Sequence, residues 1–441
     1  MPKGQIKKTS RTLLIDLPLE VLEIIFMNLH PYDLRNVMLT CKMLKELLSK
    51  NATIWKIVCK NDMTIKNSSD NRKCDLLTMY DKYRISHNWC SGVYRSQVVI
   101  NHHTNYMPWL MYYNSEALLV STGSELRSYN SNRKGIPAAN YMLWKYDVPK
   151  VRRYDVRTND ISRFIVDRLI VCGNRDGCVT VLKFYDIKRR PKLLCHIVDC
   201  HGNGTAEVSA VEVIYSEQAC VISGSIYSPS LLLLFFNVDD NDDNQENNIN
   251  VDRQEIQLSD NVGIRCLSLN DTKDKLAVGL NGNSKPLVLD VNARKLIINA
   301  DSTMNKRQAV RDIRWHNENI VTYVTHSGNL QCVDIRSNEI TYNVMDPFQS
   351  TLYCVKSDGD RAIVVGTCEY SRCVLFDTRN SAGHTQMFFT QKNLSPIYSL
   401  DFDSTKLIAA ADSSVACLNF KVNLRTTPMR DYSERFEYII R

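Results

Sequence analysis

Between residues 129 and 419, a pair made of an apolar strand-type residue and a following Asp or Asn recurs at spaced intervals. The pairs are Tyr129-Asn130, Tyr185-Asp186, Phe236-Asn237, Leu289-Asp290, Val333-Asp334, Phe376-Asp377 and Leu418-Asn419, at intervals of 56, 51, 53, 44, 43 and 42 residues. Ahead of most pairs lies another apolar run ending in a small residue, as at 169–173, 221–224, 276–279, 363–366 and 407–411. Tight-turn sequences join the two, as in Asn174-Arg175-Asp176-Gly177 and His326-Ser327-Gly328-Asn329. A further alternating run precedes them at 264–269, 310–315, 352–356 and 397–402. Three visible strands and a connecting one, repeated every 40–45 residues or so, is the arithmetic of a β-propeller blade. One four-stranded sheet cannot bury both of its faces, so such units must pack on each other, and seven of them predict a closed ring over residues 93–424. Residues 93–100 are expected to supply the outer strand of the blade ending at Leu418. The acidic, Asn-rich run 239–250 reads as a solvated insertion.

The first part of the chain has a different texture. Over residues 13–58, apolar residues recur at helical spacing: Val21, Leu22, Ile25, Phe26, Leu29, then Leu34, Val37, Met38, Cys41, Leu44, Leu47 and Leu48. Pro18 suits the first turn of a helix, with Asp16 as its cap. Pro31 is expected to stop that helix, and Asp33 to cap the next. The module should hold two or three short helices, marginal on their own and stabilised by a partner or a neighbouring domain. Residues 59–92 read as a polar loop and then a linker helix, with Leu76, Leu77, Tyr80, Tyr83 and Trp89 turned toward the domain that follows. The expected organisation is therefore α plus all-β and multidomain: a flexible basic tail at 1–12, a helical module at 13–58, a helical linker at 59–92, a seven-bladed propeller at 93–424 and a tail at 425–441.

Composition narrows the function classes. The 441 residues carry a net charge of +7, only mildly basic for the length, so nucleic acid is not expected as a partner. The longest apolar stretch near the middle, around 230–236, is too short to span a bilayer, so no membrane role is expected either. Residues 1–12 are basic and polar without an apolar core, which does not read as a signal peptide. The 15 cysteines form no CxxC pair and no zinc spacing with histidine. Most sit in strand-like runs (Cys172, Cys178, Cys332, Cys368, Cys373, Cys417), as small buried hydrophobes of a reducing compartment do. The expected location is the cytoplasm, with nuclear entry open through Lys3, Lys7, Lys8 and Arg11. No HExxH, GxSxG or Walker loop is present, and His102-His103 is a lone doublet. Neither a catalytic set nor a metal or cofactor is expected.

The helical module resembles the F-box. The opening Leu17-Pro18-Leu19-Glu20-Val21-Leu22, then Ile25-Phe26, Leu29, Asp33-Leu34, Val37, Cys41, Leu44 and the distant Trp55 follow that family's order and spacing. The β half resembles WD repeats, with the Trp of the Trp-Asp pair replaced by Tyr, Phe, Leu or Val in every unit. Together the halves are similar to the F-box/WD-repeat family, and residues 88–92 with Met107-Pro108-Trp109 are similar to one branch of it. The resemblance implies a substrate-recognition subunit of a Skp-cullin-F-box ubiquitin ligase with no active site of its own. Its F-box would bind a Skp-family adaptor, and through it a cullin-RING ligase, by packing short amphipathic helices into a groove. Leu17, Pro18, Ile25, Leu29 and Leu34 match interface positions of the family, although some of these residues must also build the module's own core. A non-degradative scaffold is the alternative function.

The propeller would hold the protein substrate. Aligning the expected innermost strands as 263–267, 309–313, 351–355 and 396–400 puts Arg265, Arg311, Tyr353 and Tyr398 at the third position of each. Such positions converge at the mouth of the ring, and Ser162 and Ser209 are their equivalents in the second and third blades. In phosphodegron-reading relatives the matching positions carry arginines and a tyrosine. Arg presents a planar fork that bonds phosphate or carboxylate bidentately, and Tyr adds a rigid amphipathic contact. The competing reading pairs the arginines with local acids such as Asp312 and leaves the tyrosines as packing.

Overall fold

The computed structural model describes residues 13–68, 76–102, 107–151, 159–215, 218–238, 249–258, 261–298, 309–392, 394–423 and 426–432. The basic tail at 1–12, His103 and most of the insertion at 239–250 lie outside them. The chain divides into two compact units: one comprises residues up to 64 together with 75–87, the other residues 65–74 together with 88 onward.

The first unit is helical. A single 3-10 turn at Leu14–Asp16 leads into α1 (Leu19–Met27), α2 (Pro31–Met38), α3 (Lys42–Lys50), α4 (Ala52–Val58) and the greater part of α5 (Met79–Cys90). The capping differs from the sequence expectation. Pro18 sits at the cap position of α1 with no side-chain bond, and Asp16 instead accepts the Leu13 N–H at 2.9 Å to close the preceding turn. Pro31 opens α2 rather than stopping α1, because its fixed φ and missing N–H suit a first helical residue. His30, not Asp33, caps that helix by accepting the Tyr32 N–H. Asn51 lies between α3 and α4 and caps the latter through the Ile54 N–H at 3.1 Å.

The core of this unit is Leu22, Phe26, Leu34, Met38, Leu44, Leu48, Ile54, Trp55 and Cys59. Trp55 donates its indole N–H to the Leu48 carbonyl at 2.8 Å and stacks on Tyr83 with ring centroids 5.3 Å apart. Tyr80 lies 5.0 Å from the same indole. The expected linker helix is thus part of this unit as far as His87: Tyr80 and Tyr83, one turn apart, share a face and cover Trp55.

The second unit is a ring of seven four-stranded antiparallel sheets. Their innermost strands are Leu110–Tyr113, Ile161–Val166, Ala210–Tyr215, Ile264–Leu269, Val310–Trp315, Leu352–Ser357 and Ser399–Asp403, in blades one to seven. The early strand Arg95–Asn101 pairs with Ser414–Asn419, Arg95 opposite Asn419, and so completes the seventh blade. Joining the two ends of the ring in one sheet leaves no open edge at the seam. In the tail, Met429 makes one bridge to Val93, and Tyr432 packs edge-on against Phe389.

The recurring Asp or Asn has a local cause. Its side chain accepts a backbone N–H just beyond it and so closes the turn leaving the third strand. Asp186 accepts from Lys188 at 3.1 Å, Asp334 from Arg336 at 2.9 Å, Asp377 from Arg379 at 3.0 Å and Asn419 from Lys421 at 2.9 Å. The apolar partner is buried in six of the pairs, whereas Tyr185 is exposed. Small residues ending the second strand let blades approach closely. A Cβ on Gly173 would lie 2.6 Å from Val208 of the next blade, and one on Gly366 would lie 2.7 Å from Ile397.

Asn88 and Trp89 seat against the seventh blade, and the Cys90 carbonyl accepts from Gln386 of the sixth at 2.9 Å. Trp89 stacks on Phe420 at 3.7 Å and donates to the Ser404 carbonyl at 3.0 Å, while Asn88 donates to the Phe420 carbonyl at 2.8 Å.

One buried histidine gives this unit an acid-sensitive element. His201 is buried beside Ser223, Nε2 to Oγ 3.1 Å, and burial lowers its pKa to about 4. An unfolded chain protonates this imidazole near pH 6.5, so between 6.5 and 4 the unfolded state holds a proton that the native state lacks. The stabilisation is complete above about 6.5 and is lost as pH falls toward 4, by up to roughly 3 kcal/mol. Thermal melts at pH 7.5, 5.5 and 4.5 should show His201→Asn losing less stability on acidification than the wild type. Parallel curves would remove the effect.

Candidate functional site

The aligned residues at the starts of the innermost strands meet at one mouth of the ring. Arg265, Arg311, Tyr353 and Tyr398 line a single cavity of about 100 Å³, together with Ser162, Ser209 and Trp109. All four aligned residues are half-buried. They touch in series: the Arg311 guanidinium lies 4.9 Å over the Tyr353 ring, and Tyr353 meets Tyr398 edge-on at 5.6 Å.

Neither arginine is paired with an acid among the described residues. Arg265 donates to the Asn281 side-chain oxygen at 3.3 Å, and Arg311 lies 2.9 Å from His326 Nδ1. A guanidinium has no acceptor, so His326 accepts through an unprotonated Nδ1. This agrees with a His326 pKa lowered by burial and by the charges of Arg311 and Arg265. Burial and then the neighbouring Arg311 bring the Arg265 pKa down to about 10, and burial lowers that of Arg311. Burial, reinforced by Asp412, raises that of Tyr398. Two like charges thus stand side by side, partly desolvated, with neutral partners only. A carboxylate or phosphate entering the mouth would relieve that cost.

Asp312, the acid nearest Arg311 in sequence, is engaged elsewhere. It takes the Arg163 guanidinium at 2.9 Å and the Val355 N–H at 3.0 Å. Arg163 belongs to the second blade and Asp312 to the fifth, so this ion pair crosses the central channel. The Arg163 guanidinium also lies 3.9 Å over the Trp109 ring. The two serines at the third position brace neighbouring blades. Ser162 donates to the Val208 carbonyl, and Ser209 donates to that of Ile264 at 2.7 Å. Trp109, Arg163, Arg175 and Glu207 also line the cavity and were not among the aligned residues. Extending the alignment to Met107-Pro108-Trp109 would have found the first of them. Arg163 occupies another position of its strand and Glu207 lies ahead of the strand Ala210–Tyr215, and nothing periodic marks them.

In the helical unit, the residues matched to an interface separate by burial. Leu34 is fully buried in the unit's own core. It stands on the inward face of α2 with Met38 one turn on, so its side chain holds the helices together and is not available to a partner. Pro18 is exposed, while Leu17, Ile25 and Leu29 are half-buried against the core. Further apolar side chains stand in solvent: Leu19, Val21, Ile24, Tyr32 and Leu39, with Ile24 64% and Leu39 60% exposed. Val21 and Ile24 are one turn apart on α1 and share its outer face. Periodicity alone did not separate them from the core positions, because in so short a helix both faces carry apolar residues.

Residues 14–61, which contain this core and this exposed face, match the family described as F-box-like. The N-terminal module is an F-box-like domain. Along nearly its whole length the chain is homologous to F-box/WD repeat-containing protein 4, also called dactylin. It is 20% identical to the mouse protein over 417 residues, covering 92% of this chain and 93% of the relative. It is 21% identical to the human protein over 418 residues, covering 92% of each. The F-box-like domain and the propeller mouth are the two candidate sites. Among the described residues, no group of three or more His, Cys, Asp and Glu is arranged to hold a metal ion.

Proposed function

We propose that this chain is the substrate-recognition subunit of a Skp-cullin-F-box ubiquitin ligase and has no catalytic step of its own. The carrying observation is the joining, in one chain, of an F-box-like domain with exposed apolar helix faces to a propeller whose mouth holds two guanidinium groups that meet no acid among the described residues. The F-box-like domain docks on a Skp-family adaptor through Leu17, Pro18, Ile25 and Leu29 together with the exposed Leu19, Val21 and Ile24. The propeller mouth takes an acidic or phosphorylated segment of a protein substrate. The fourteen cysteines among the described residues are all free, which supports action in the reducing cytoplasm and nucleus.

The test is reconstitution. Full-length protein, adaptor, cullin-RING ligase and charged conjugating enzyme should transfer ubiquitin to a partner captured on the propeller. Ile24→Glu places a charge on an apolar docking face at a residue that is mostly solvated. It should change stability by less than about 0.5 kcal/mol and weaken adaptor binding at least tenfold in calorimetry, abolishing transfer. Partners that are captured but never modified would favour a scaffold role, and wild-type protein that fails to bind the adaptor would end the reading.

A further inference from the structure

The ring has a second cavity, of about 490 Å³, that shares no lining residue with the mouth described above. Its volume is in the range of small-molecule sites. It lies toward the far ends of the innermost strands, where Glu212, Ser268 and Arg314 enter its wall from the third, fourth and fifth blades. The Trp109 ring, 5.8 Å from the Arg314 guanidinium and 3.9 Å from that of Arg163, lies between the two spaces.

Two opposite charges in this wall do not meet. Arg314 is only 7% exposed, its side chain makes no hydrogen bond or ion pair among the described residues, and its Nε is buried without a partner. Glu212 is 4% exposed, and what it receives is the Leu269 backbone N–H together with the longer-range fields of Arg314, Arg163 and Lys273. Burial raises the Glu212 pKa to about 7. Desolvated charges left in this state cost stability, and a ligand that brings a complementary group to each recovers it. At the rim, Lys273 is already paired with Asp167. Glu116 and Asp271 stand nearby, so the lining is acidic overall. That balance disfavours a polyphosphorylated ligand, while a simple cation would leave Arg314 unanswered.

We propose that this cavity binds a small zwitterion of the α-amino-acid class, its carboxylate on the Arg314 guanidinium and its ammonium at the Glu212 carboxylate. Ser268 lies within the same lining to meet a polar side chain. The site needs neither the adaptor nor an occupied mouth, so it stands or falls separately from the ligase reading.

The test uses the full-length protein and the twenty free amino acids, screened by thermal shift and then measured by calorimetry. At least one should bind with a Kd below about 1 mM. Its N-acetyl derivative, lacking the ammonium, and its methyl ester, lacking the carboxylate, should each bind at least tenfold more weakly. Arg314→Gln and Glu212→Gln should show the same loss. The proposal is overturned if no free amino acid binds, if either blocked derivative binds as well as its parent, or if folded variants retain full affinity. Should the variants fail to fold, the blocked derivatives on the wild-type protein decide the matter.

Discussion

Reversing both charges at the mouth, with Arg265→Glu and Arg311→Glu together, should abolish capture of an acidic or phosphorylated peptide while leaving adaptor binding unchanged. Among the described residues the two guanidinium groups have only Asn281 and His326 as polar partners, so their charge is available to a ligand. A hydrogen bond to a charged group contributes about 1.5–3 kcal/mol, so losing two amounts to roughly a hundred- to ten-thousandfold in affinity before repulsion is added. Fluorescence anisotropy with phosphothreonine peptides drawn from captured partners measures the first effect. Calorimetry with the adaptor measures the second, since the substituted residues lie in the other unit of the chain. Raising salt should weaken the wild-type peptide complex as well. Peptide affinity unchanged by the double reversal would remove Arg265 and Arg311 from the site.

Asp346→Ala should destabilise the propeller by about 3–5 kcal/mol, because it strands a buried guanidinium. Arg372, in the third strand of the sixth blade, holds Asp346 bidentately at 2.7 and 2.8 Å, and both side chains are completely inaccessible. The same carboxylate accepts the Phe348 and Ser350 N–H groups at 3.0 Å each and so fixes the loop that leads from the fifth blade. The guanidinium also lies 4.4 Å over the Phe348 ring. Removing the acid leaves the arginine with no counter-ion and the two N–H groups with no acceptor. Adding Arg372→Met should recover part of the loss, since the uncompensated charge disappears, and the difference between the single and double variants reads the coupling. Denaturant midpoints followed by tryptophan fluorescence measure both. A loss under about 1 kcal/mol for Asp346→Ala would show that the pair contributes little.

The ring was legible from the chain because a blade is assembled from near neighbours. Alternating apolar residues, a glycine turn and an Asp or Asn that closes on its own backbone are all local events, so Asp334 and Asp377 announce their strands without help from the rest of the protein. The alignment of Arg265, Arg311, Tyr353 and Tyr398 carried further for the same reason: equivalent positions in repeated strands must converge once the ring closes. What each of those side chains then meets is a matter of closure. Asp312 is adjacent to Arg311 in sequence yet pairs with Arg163, 149 residues away and across the channel. Ser162 and Ser209 spend their hydroxyls on the next blade's carbonyls. In the F-box-like domain, helical spacing named the apolar residues, but only packing sorted Leu34 into the core and left Ile24 in water. Packing likewise drew Tyr80 and Tyr83 onto Trp55. Periodicity is a property of one segment and can be read along the chain. Burial and charge pairing depend on which distant segments arrive at the same place, and that is settled only when the tertiary structure forms.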